Sequence, residues 1–373
     1  MANNELLRID GSFGEGGGQI LRTSLSLSTL LGRPVEVVNI RRNRKFPGLM
    51  PQHLTAVKAC QTICEAKVVG AEINSERLEF NPGKIRYGNY TWDVAESKKS
   101  AGAAALVLQT VLLPLLFARN ESNLTIKGGT HVPWSPPATY LKQVFLPVLG
   151  LMGCQTFMKI NRWGWYPEGG GEITCRIRPV DKLQPRQFAD RGKLLKLYGL
   201  SAISNVGNSV GDRQMRAAQK FLKQANLEAE IRVKEVPASG KGSILFLTAE
   251  FENVRAGFST LGEKGLPAEK VSESAVNELK NYLGKSVCLD HYLADQLIPY
   301  VALCKTRIEM NVSKITNHLL TNLWVVKRFL PIQYELKGPL GYPGTLIIEP
   351  AVIPPPAPPT SPTEKPAETP AGT

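Results

Sequence analysis

The chain has 373 residues, 43% hydrophobic and 21% charged, an ordinary balance for a soluble globular protein. Lys plus Arg number 45 against 32 Asp plus Glu, a formal net charge of +13 that favours an anionic partner such as nucleic acid, nucleotide or an acidic surface. The six cysteines form no Cys-x-x-Cys pair and no zinc spacing, and the first residues show neither a basic n-region nor an apolar h-region, so reduced thiols and a cytoplasmic location are expected.

In chain order, Leu6–Asp10 reads as a strand. It is followed by Gly14-Glu15-Gly16-Gly17-Gly18-Gln19-Ile20-Leu21-Arg22, which opens a helix running to Leu31. Glycines at a strand-to-helix turn let a ligand approach the backbone and aim N–H groups at an anion. The run is neither a Walker loop nor a dinucleotide fingerprint, and a tight packing turn explains it as well. Val35–Ile40 is a strand and Gln52 to Glu65 a helix. Lys67–Ile73 and Arg77–Phe80 are strands closed by Asn81-Pro82-Gly83, giving the order β-α-β-α-β-β.

The same order returns from Tyr90 to Ile177, with helices at Ser100–Phe117 and Pro137–Leu151. A second triple glycine, Gly169 to Gly171, reads as a hairpin and not as a second cradle. Two units of about 80 residues thus share an element order, a repeat hypothesis. The apolar run from Ala101 to Ala118 contains Gln109 and Pro114 and reads as a buried helix, not a membrane span. A block β-α-β-β-β-α over 186–284 reads as an inserted small domain. A third unit over 285–349 has helices at Tyr292–Cys304 and Asn317–Leu330. The expected fold is therefore α+β. A large domain (1–185 and 285–349) is built of three repeated βαβαββ-type units, each with a four-stranded sheet and two helices, and carries the inserted α/β segment. Nine of the 24 residues from Pro350 onward are proline, so the 350–373 tail is expected to be disordered or extended.

Four histidines carry the chemical candidates. His53 follows the basic stretch Arg41-Arg42-Asn43-Arg44-Lys45 and, with Gln52, opens a helix; this is either a phosphate site or a solvated loop. His131 lies among Pro133, Trp134, Pro136 and Pro137, which either wall a planar base or form a rigid connection. His291 precedes Tyr292, whose ring offers a stacking face. By helical spacing Tyr292 shares a face with Asp295 and Gln296, and Asp295 suits a metal or a hydroxyl. His318 falls in the first turn of a helix capped by Thr316 or Asn317. There the dipole favours a neutral imidazole, which either attacks phosphorus or serves a structural role.

Taken together, several stretches closely resemble the RNA 3′-terminal phosphate cyclase family. They are Gly14 to Arg22, Pro47-Gly48-Leu49 with Gln52 to Ala56, Gly128-Gly129-Thr130, the second triple glycine after Tyr166-Pro167, Tyr292 to Gln296, and His318 to Asn322. The resemblance covers residues 5–348. It implies ATP-dependent conversion of an RNA 3′-phosphate to a 2′,3′-cyclic phosphate, through a histidine–AMP adduct and an RNA(3′)pp(5′)A intermediate, with release of AMP and pyrophosphate.

By matching motif, the resemblance makes His318 the nucleophile and places Gln109, Tyr292, Leu293, Ala294, Asp295 and Gln296 at the ATP site, with Tyr292 stacking on adenine. It assigns Glu15 to a divalent cation, Mg²⁺ or Mn²⁺, and Arg22, Arg41, Arg44, Gln52 and His53 to the RNA 3′-phosphate end. A monomer or homodimer that does not enter the membrane is expected. Three other readings compete, one of them a basic RNA-binding scaffold with no activity, which the +13 charge alone allows. A non-catalytic cyclase-like ribosome-assembly factor lacks the histidine nucleophile. An enolpyruvyl transferase has no use for the Tyr292–Gln296 segment or His318.

Overall fold

A computed structural model of the chain describes residues 5–96, 100–207 and 209–351. The proline-rich tail beyond residue 351 lies outside them.

The first sheet is built from β1 (Leu7–Asp10), β2 (Val35–Val38), β3 (Lys67–Val69) and β4 (Leu78–Asn81), in the order β1-β2-β4-β3. β1 and β2 are parallel and the other pairs antiparallel. A parallel pair needs a crossover, here the helix α1 (Gly18–Leu31); α2 (Pro51–Cys64) makes the next connection. The second sheet comprises β5 (Asn89–Asp93), β6 (Ser122–Gly128), β7 (Gln155–Arg162) and β8 (Gly171–Arg178). Its order, β5-β6-β8-β7, repeats the pattern of one parallel and two antiparallel pairs. α3 (Ala104–Leu116) connects its parallel strands. The helical stretch before β7 comprises α4 (Ala138–Tyr140), a π-turn over Leu141–Phe145, and α5 (Leu146–Leu151), so the helix expected over 137–151 is continuous but locally widened. The second triple glycine does close the β7–β8 hairpin.

The third sheet takes β9 (Leu194–Ser204), β10 (Glu230–Glu235), β11 (Gly242–Phe251) and β12 (Arg255–Leu261) in the order β10-β9-β11-β12, with α6 (Ser209–Lys223) and α7 (Ala268–Leu283). The last elements are α8 (His291–Leu303), β13 (Ile308–Val312), α9 (Asn317–Phe329), β14 (Ile332–Lys337) and β15 (Gly344–Pro350).

Here the structure departs from the expectation of four strands per unit. Among the described residues this sheet has three, β13-β15-β14, all antiparallel. The free side of β13 is met by residue 188 of the connecting chain. Phe188 bridges Met310 in parallel sense, its N–H donating to Glu309 at 2.8 Å and its carbonyl accepting from Asn311 at 2.9 Å. Residues 187–189, expected to open the inserted segment, therefore lie along this sheet. No continuous hydrophobic run signals a strand there.

The packing at the centre explains the long apolar run. Every residue of α3 is buried except Gln109, and α3 packs against both α1 and α2. A helix that is apolar nearly all round must sit in the core; of its two polar residues Thr110 is buried, its hydroxyl donating to the Leu106 carbonyl, and only Gln109 leaves the core. No helix among the described residues is long and apolar enough to cross a membrane. All six cysteines are free and five are buried. Burial pushes the Cys154 and Cys175 thiols up to about 12, so they stay protonated and inert.

Candidate active site

The glycine run meets α9 across the tertiary fold. α1 starts after Gly17, which offers no side-chain cap, so its first-turn N–H groups are open to an incoming anion. Space explains the glycines. A Cβ on Gly17 would lie 3.0 Å from Arg44 Nη2, and one on Gly18 would lie 2.2 Å from His53 Nε2 and 2.8 Å from Arg22 Nη1. Gly14, at φ +56°, would meet Thr321 Oγ1 at 2.7 Å. That hydroxyl is buried without a hydrogen-bond partner.

His318 stands one residue inside α9. The Thr316 hydroxyl caps that helix, accepting from Leu319 N at 3.0 Å. The imidazole Nδ1 lies 2.5 Å from Gln19 Oε1 and 3.1 Å from Glu15 Oε2. A carboxylate has no proton to give, so Nδ1 carries the hydrogen and the Nε2 lone pair is left free. Burial, with Arg22 and Arg44 nearby, lowers the His318 pKa; the Glu15 charge opposes this without reversing it. The ring is therefore neutral at pH 7 and nucleophilic at Nε2.

Near this pair sit the guanidinium groups of Arg22 and Arg44, with Arg41 close to both of them. Arg44 Nη2 donates to Glu15 Oε1 at 2.7 Å. Burial, then the charge of Arg41, lowers Arg22 to about 10, and burial, then Arg44, lowers Arg41. Neighbouring guanidinium charge thus opposes the charge on Arg22 and Arg41, with Glu15 in contact with Arg44, an electrostatic arrangement suited to a phosphate.

The remaining RNA-end candidates are more committed than the sequence suggested. Arg41 Nη1 donates to the carbonyls of Phe46 at 2.7 Å and Gly48 at 2.8 Å, so it braces its own loop. Gln52 Oε1 accepts from Ala103 N at 2.9 Å, tying α2 to the start of α3. His53 is buried, its Nδ1 accepting from Met50 N at 3.1 Å. Burial, with Arg22 and Arg41, holds its pKa well below the usual range. Its remaining Nε2–H faces Gly18.

The second wall comes from α8 and α3. Asp290 caps α8, accepting from Leu293 N at 2.9 Å, and also receives the Tyr140 hydroxyl at 2.8 Å. Tyr140 meets the Tyr292 ring edge-on at 6.3 Å, leaving Tyr292 47% exposed at the surface. Gln109 Nε2 donates to Gln296 Oε1 at 2.5 Å, and Gln296 Nε2 to the Tyr292 carbonyl at 2.8 Å. Asp295 Oδ1 accepts from Thr316 Oγ1 at 2.9 Å, so it holds a hydroxyl; burial raises its pKa. Leu293 and Ala294, expected at the ligand, are fully buried in the core. A site can use only their backbone, because the helical periodicity that exposes Tyr292 turns Leu293 and Ala294 inward.

His131 is structural. It is buried, stacked on Trp163 at 3.8 Å, and bonded through both ring nitrogens to Thr130 and Thr139. Two hollows of 480 and 350 Å³, both lined by Lys84, Ile85 and Arg119, lie at the far end of α1 from Gly18 and hold none of these groups.

Sequence reasoning missed Gln19 and the links that set the geometry. Thr23 Oγ1 donates to Asn322 Oδ1 at 2.7 Å, and Asn322 Nδ2 to the Asp295 carbonyl at 2.7 Å. With the Thr316–Asp295 bond these fasten α1, α8 and α9 together. Gln19 stood inside the glycine motif, but a partner 299 positions away has no local signal.

Comparison with known proteins fixes the family. The sequence model of the family described as RNA 3′-terminal phosphate cyclase matches residues 13–336. The chain belongs to the RNA 3′-terminal phosphate cyclase family. It is 45% identical over 331 residues to the protein of that name from Methylococcus capsulatus, covering 87% of this chain and 91% of that one. Identity to the Gloeothece citriformis protein of that name is 42% over 334 residues, 89% and 95% of the two chains. To the Thermococcus kodakarensis one it is 41% over 350 residues, 94% and 100%. Among solved structures, the enolpyruvyl transferase NikO from Streptomyces tendae aligns over 93% of this chain and 48% of its own. With a TM-score of 0.34 at 11% identity, that likeness carries no argument.

Proposed function

We propose that the protein is an enzyme that converts the 3′-phosphate of an RNA into a 2′,3′-cyclic phosphate at the expense of ATP, through adenylylated His318. The observation that carries this reading is the neutral imidazole of His318. Its Nδ1–H is held by Glu15 and Gln19, and its Nε2 is free beside Arg22, Arg44 and an uncapped helix N-terminus.

In the first step Nε2 bonds to the α-phosphorus of ATP and the bond to pyrophosphate breaks. The imidazole becomes cationic, and the Glu15 carboxylate at Nδ1–H stabilises that charge. Next an oxygen of the RNA 3′-phosphate attacks the same phosphorus. The N–P bond breaks and His318 returns neutral, leaving RNA(3′)pp(5′)A. Finally the adjacent 2′-OH attacks the RNA phosphorus, loses its proton and displaces AMP. Arg22 and Arg44 hold the phosphates, while Arg41, His53 and Gln52 keep the loop and helix that position them. Tyr292 stacks on adenine, and Gln109 with Gln296 edges that subsite.

A divalent ion has one candidate protein ligand here, Glu15. No group of three or more His, Cys, Asp or Glu among the described residues suits a resident metal. Both Glu15 oxygens are engaged, by Arg44 and His318. Glu15 would hold a Mg²⁺ or Mn²⁺ borne by the triphosphate, and the ion would neutralise phosphate charge. We read residues 1–185 and 285–349 as one repeated-unit domain around this site, with the 186–284 block inserted.

The test is incubation with α-labelled ATP and a divalent metal. The wild-type protein should acquire an acid-labile label, and His318→Ala should acquire none. A folded wild-type protein that stays unlabelled would instead favour a non-catalytic binding factor.

A further inference from the structure

A lone exposed aromatic needs no explanation, but Phe46 is displayed by a loop built to hold it. Asn39 and Arg41 take the left-handed backbone at φ 53° and 55°, and Gly48 does so at 75°. Arg41 Nη1 clamps the carbonyls of Phe46 and Gly48 at 2.7 and 2.8 Å. Gly48 N donates to Ile40 O at 2.8 Å and Arg44 N to Arg41 O at 3.0 Å, while Arg42 Nη1 reaches Asn39 Oδ1 at 3.0 Å. What this frame leaves in water is the Phe46 ring, 58% exposed, with Lys45 Nζ 5.6 Å from its centroid and Arg42 exposed nearby. Holding an apolar ring out in water gains the fold little, since it is burial of such a ring that stabilises.

Its place in the chain ties the ring to the site. Phe46 is two residues from Arg44, a span of about 7 Å at most. Arg44 Nη2 is 2.7 Å from Glu15, whose other oxygen is 3.1 Å from His318. An aromatic face among cations matches how single-stranded nucleic acid is held, with bases stacked and phosphates on basic side chains. The surrounding Arg42, Arg44 and Lys45 disfavour an apolar protein partner. We propose that Phe46 is the stacking platform for the 3′-terminal base of the RNA, with Lys45 and Arg42 on the flanking backbone phosphates. The identity of the ligand rests on the proposed function; the stacking rests on the loop.

The experiment is a double-mutant cycle on binding. Wild-type protein and Phe46→Ala are each titrated with a 5′-labelled oligoribonucleotide 3′-phosphate and with the same oligonucleotide lacking its 3′-terminal base. Stacking of one base corresponds to about tenfold to a hundredfold in affinity. Phe46→Ala should lose that factor on the intact RNA and little on the abasic one, and Phe46→Trp should restore it. An equal loss on both RNAs, no loss on either, or a failure of Phe46→Trp to restore the difference overturns the proposal. The readout is binding alone. A protein that shows this coupling yet acquires no label from ATP refutes the cyclase reading and leaves the base subsite standing.

Discussion

Glu15 stands between two roles, and Glu15→Gln separates them. As a partner of His318 it fixes Nδ1 as the protonated nitrogen. As a metal ligand it takes a phosphate-borne cation. The substitution keeps the shape but removes the charge, and the amide can turn an N–H toward Nδ1, favouring the tautomer whose Nε2 cannot attack. A hydrogen bond to a charged group contributes about 1.5–3 kcal/mol, roughly tenfold to 150-fold in rate. The His318 side chain is 50% exposed, so solvent screening places the expected loss near the low end. The assay is the rate of acid-labile labelling from α-labelled ATP across pH 5–8, at several metal concentrations. The reactive imidazole is neutral, so the rate falls as pH drops through the His318 pKa. Glu15 raises that pKa against the stronger effect of burial. Removing the carboxylate must therefore move the acid limb to lower pH while slowing the plateau. An unmoved acid limb with a wild-type plateau would refute the orienting role. A plateau fully restored by excess metal would make Glu15 a metal ligand alone.

Further outcomes follow from single contacts. Gly18→Ala places a methyl 2.2 Å from His53 Nε2; labelling should drop at least tenfold with the far-ultraviolet spectrum unchanged. Leu293→Ala empties a fully buried position and should cost about 2–5 kcal/mol in urea unfolding, whereas a cost under about 1 kcal/mol would mean its side chain faces the site and not the core. Thr316→Ala removes both the α9 cap and the Asp295 contact and should cost about 1–2 kcal/mol, read by the same method. His131 is buried and neutral, its pKa well below the unfolded value near 6.5. Its contribution to stability is present above that value and lost as pH falls. The stability gap between wild type and His131→Gln should therefore shrink by about 1.4 kcal/mol per pH unit below 6.5.

The parts of the fold visible in the sequence were those with a local period or a local breaker. The helix α3 announced itself by an apolar run, and Gln109, its longest polar side chain, is its one residue outside the core. The β7–β8 hairpin was signalled by the second triple glycine. What stayed hidden was tertiary. Phe188 lies along β13 through two backbone hydrogen bonds that require no side-chain pattern. At the site, the motifs supplied Glu15, His318 and the arginines. They could not say that Arg41 and Gln52 spend their polar atoms on neighbouring backbone, since a motif records residue type and not its hydrogen-bond partner.

The geometry also bears on why the proposed nucleophile stands outside the glycine run. That run must stay open, because a Cβ on Gly14, Gly17 or Gly18 would crowd Thr321, Arg44, or His53 and Arg22 respectively. A histidine inside it would fill the space that the phosphates need. Placing the imidazole on α9 instead lets the loop remain backbone and one carboxylate. The attacking atom then depends on how rigidly α9 is held to α1. Rigidity comes from Thr23, Asn322, Asp295 and Thr316, joined in one buried or half-buried chain of 2.7–2.9 Å hydrogen bonds. The middle of that chain is the test of the argument. Asn322→Leu keeps the volume but breaks both its bonds, leaving the Asp295 carbonyl and Thr23 hydroxyl without partners, at a cost of about 1–3 kcal/mol for each buried group left unpaired. Labelling of His318 should fall by more than the loss of folded protein accounts for and by more than KM for ATP rises, because the Gln109–Gln296 contact that edges the Tyr292 subsite uses neither of the broken bonds. Loss of labelling in simple proportion to unfolding would show that the chain stabilises the fold without setting the position of the nucleophile.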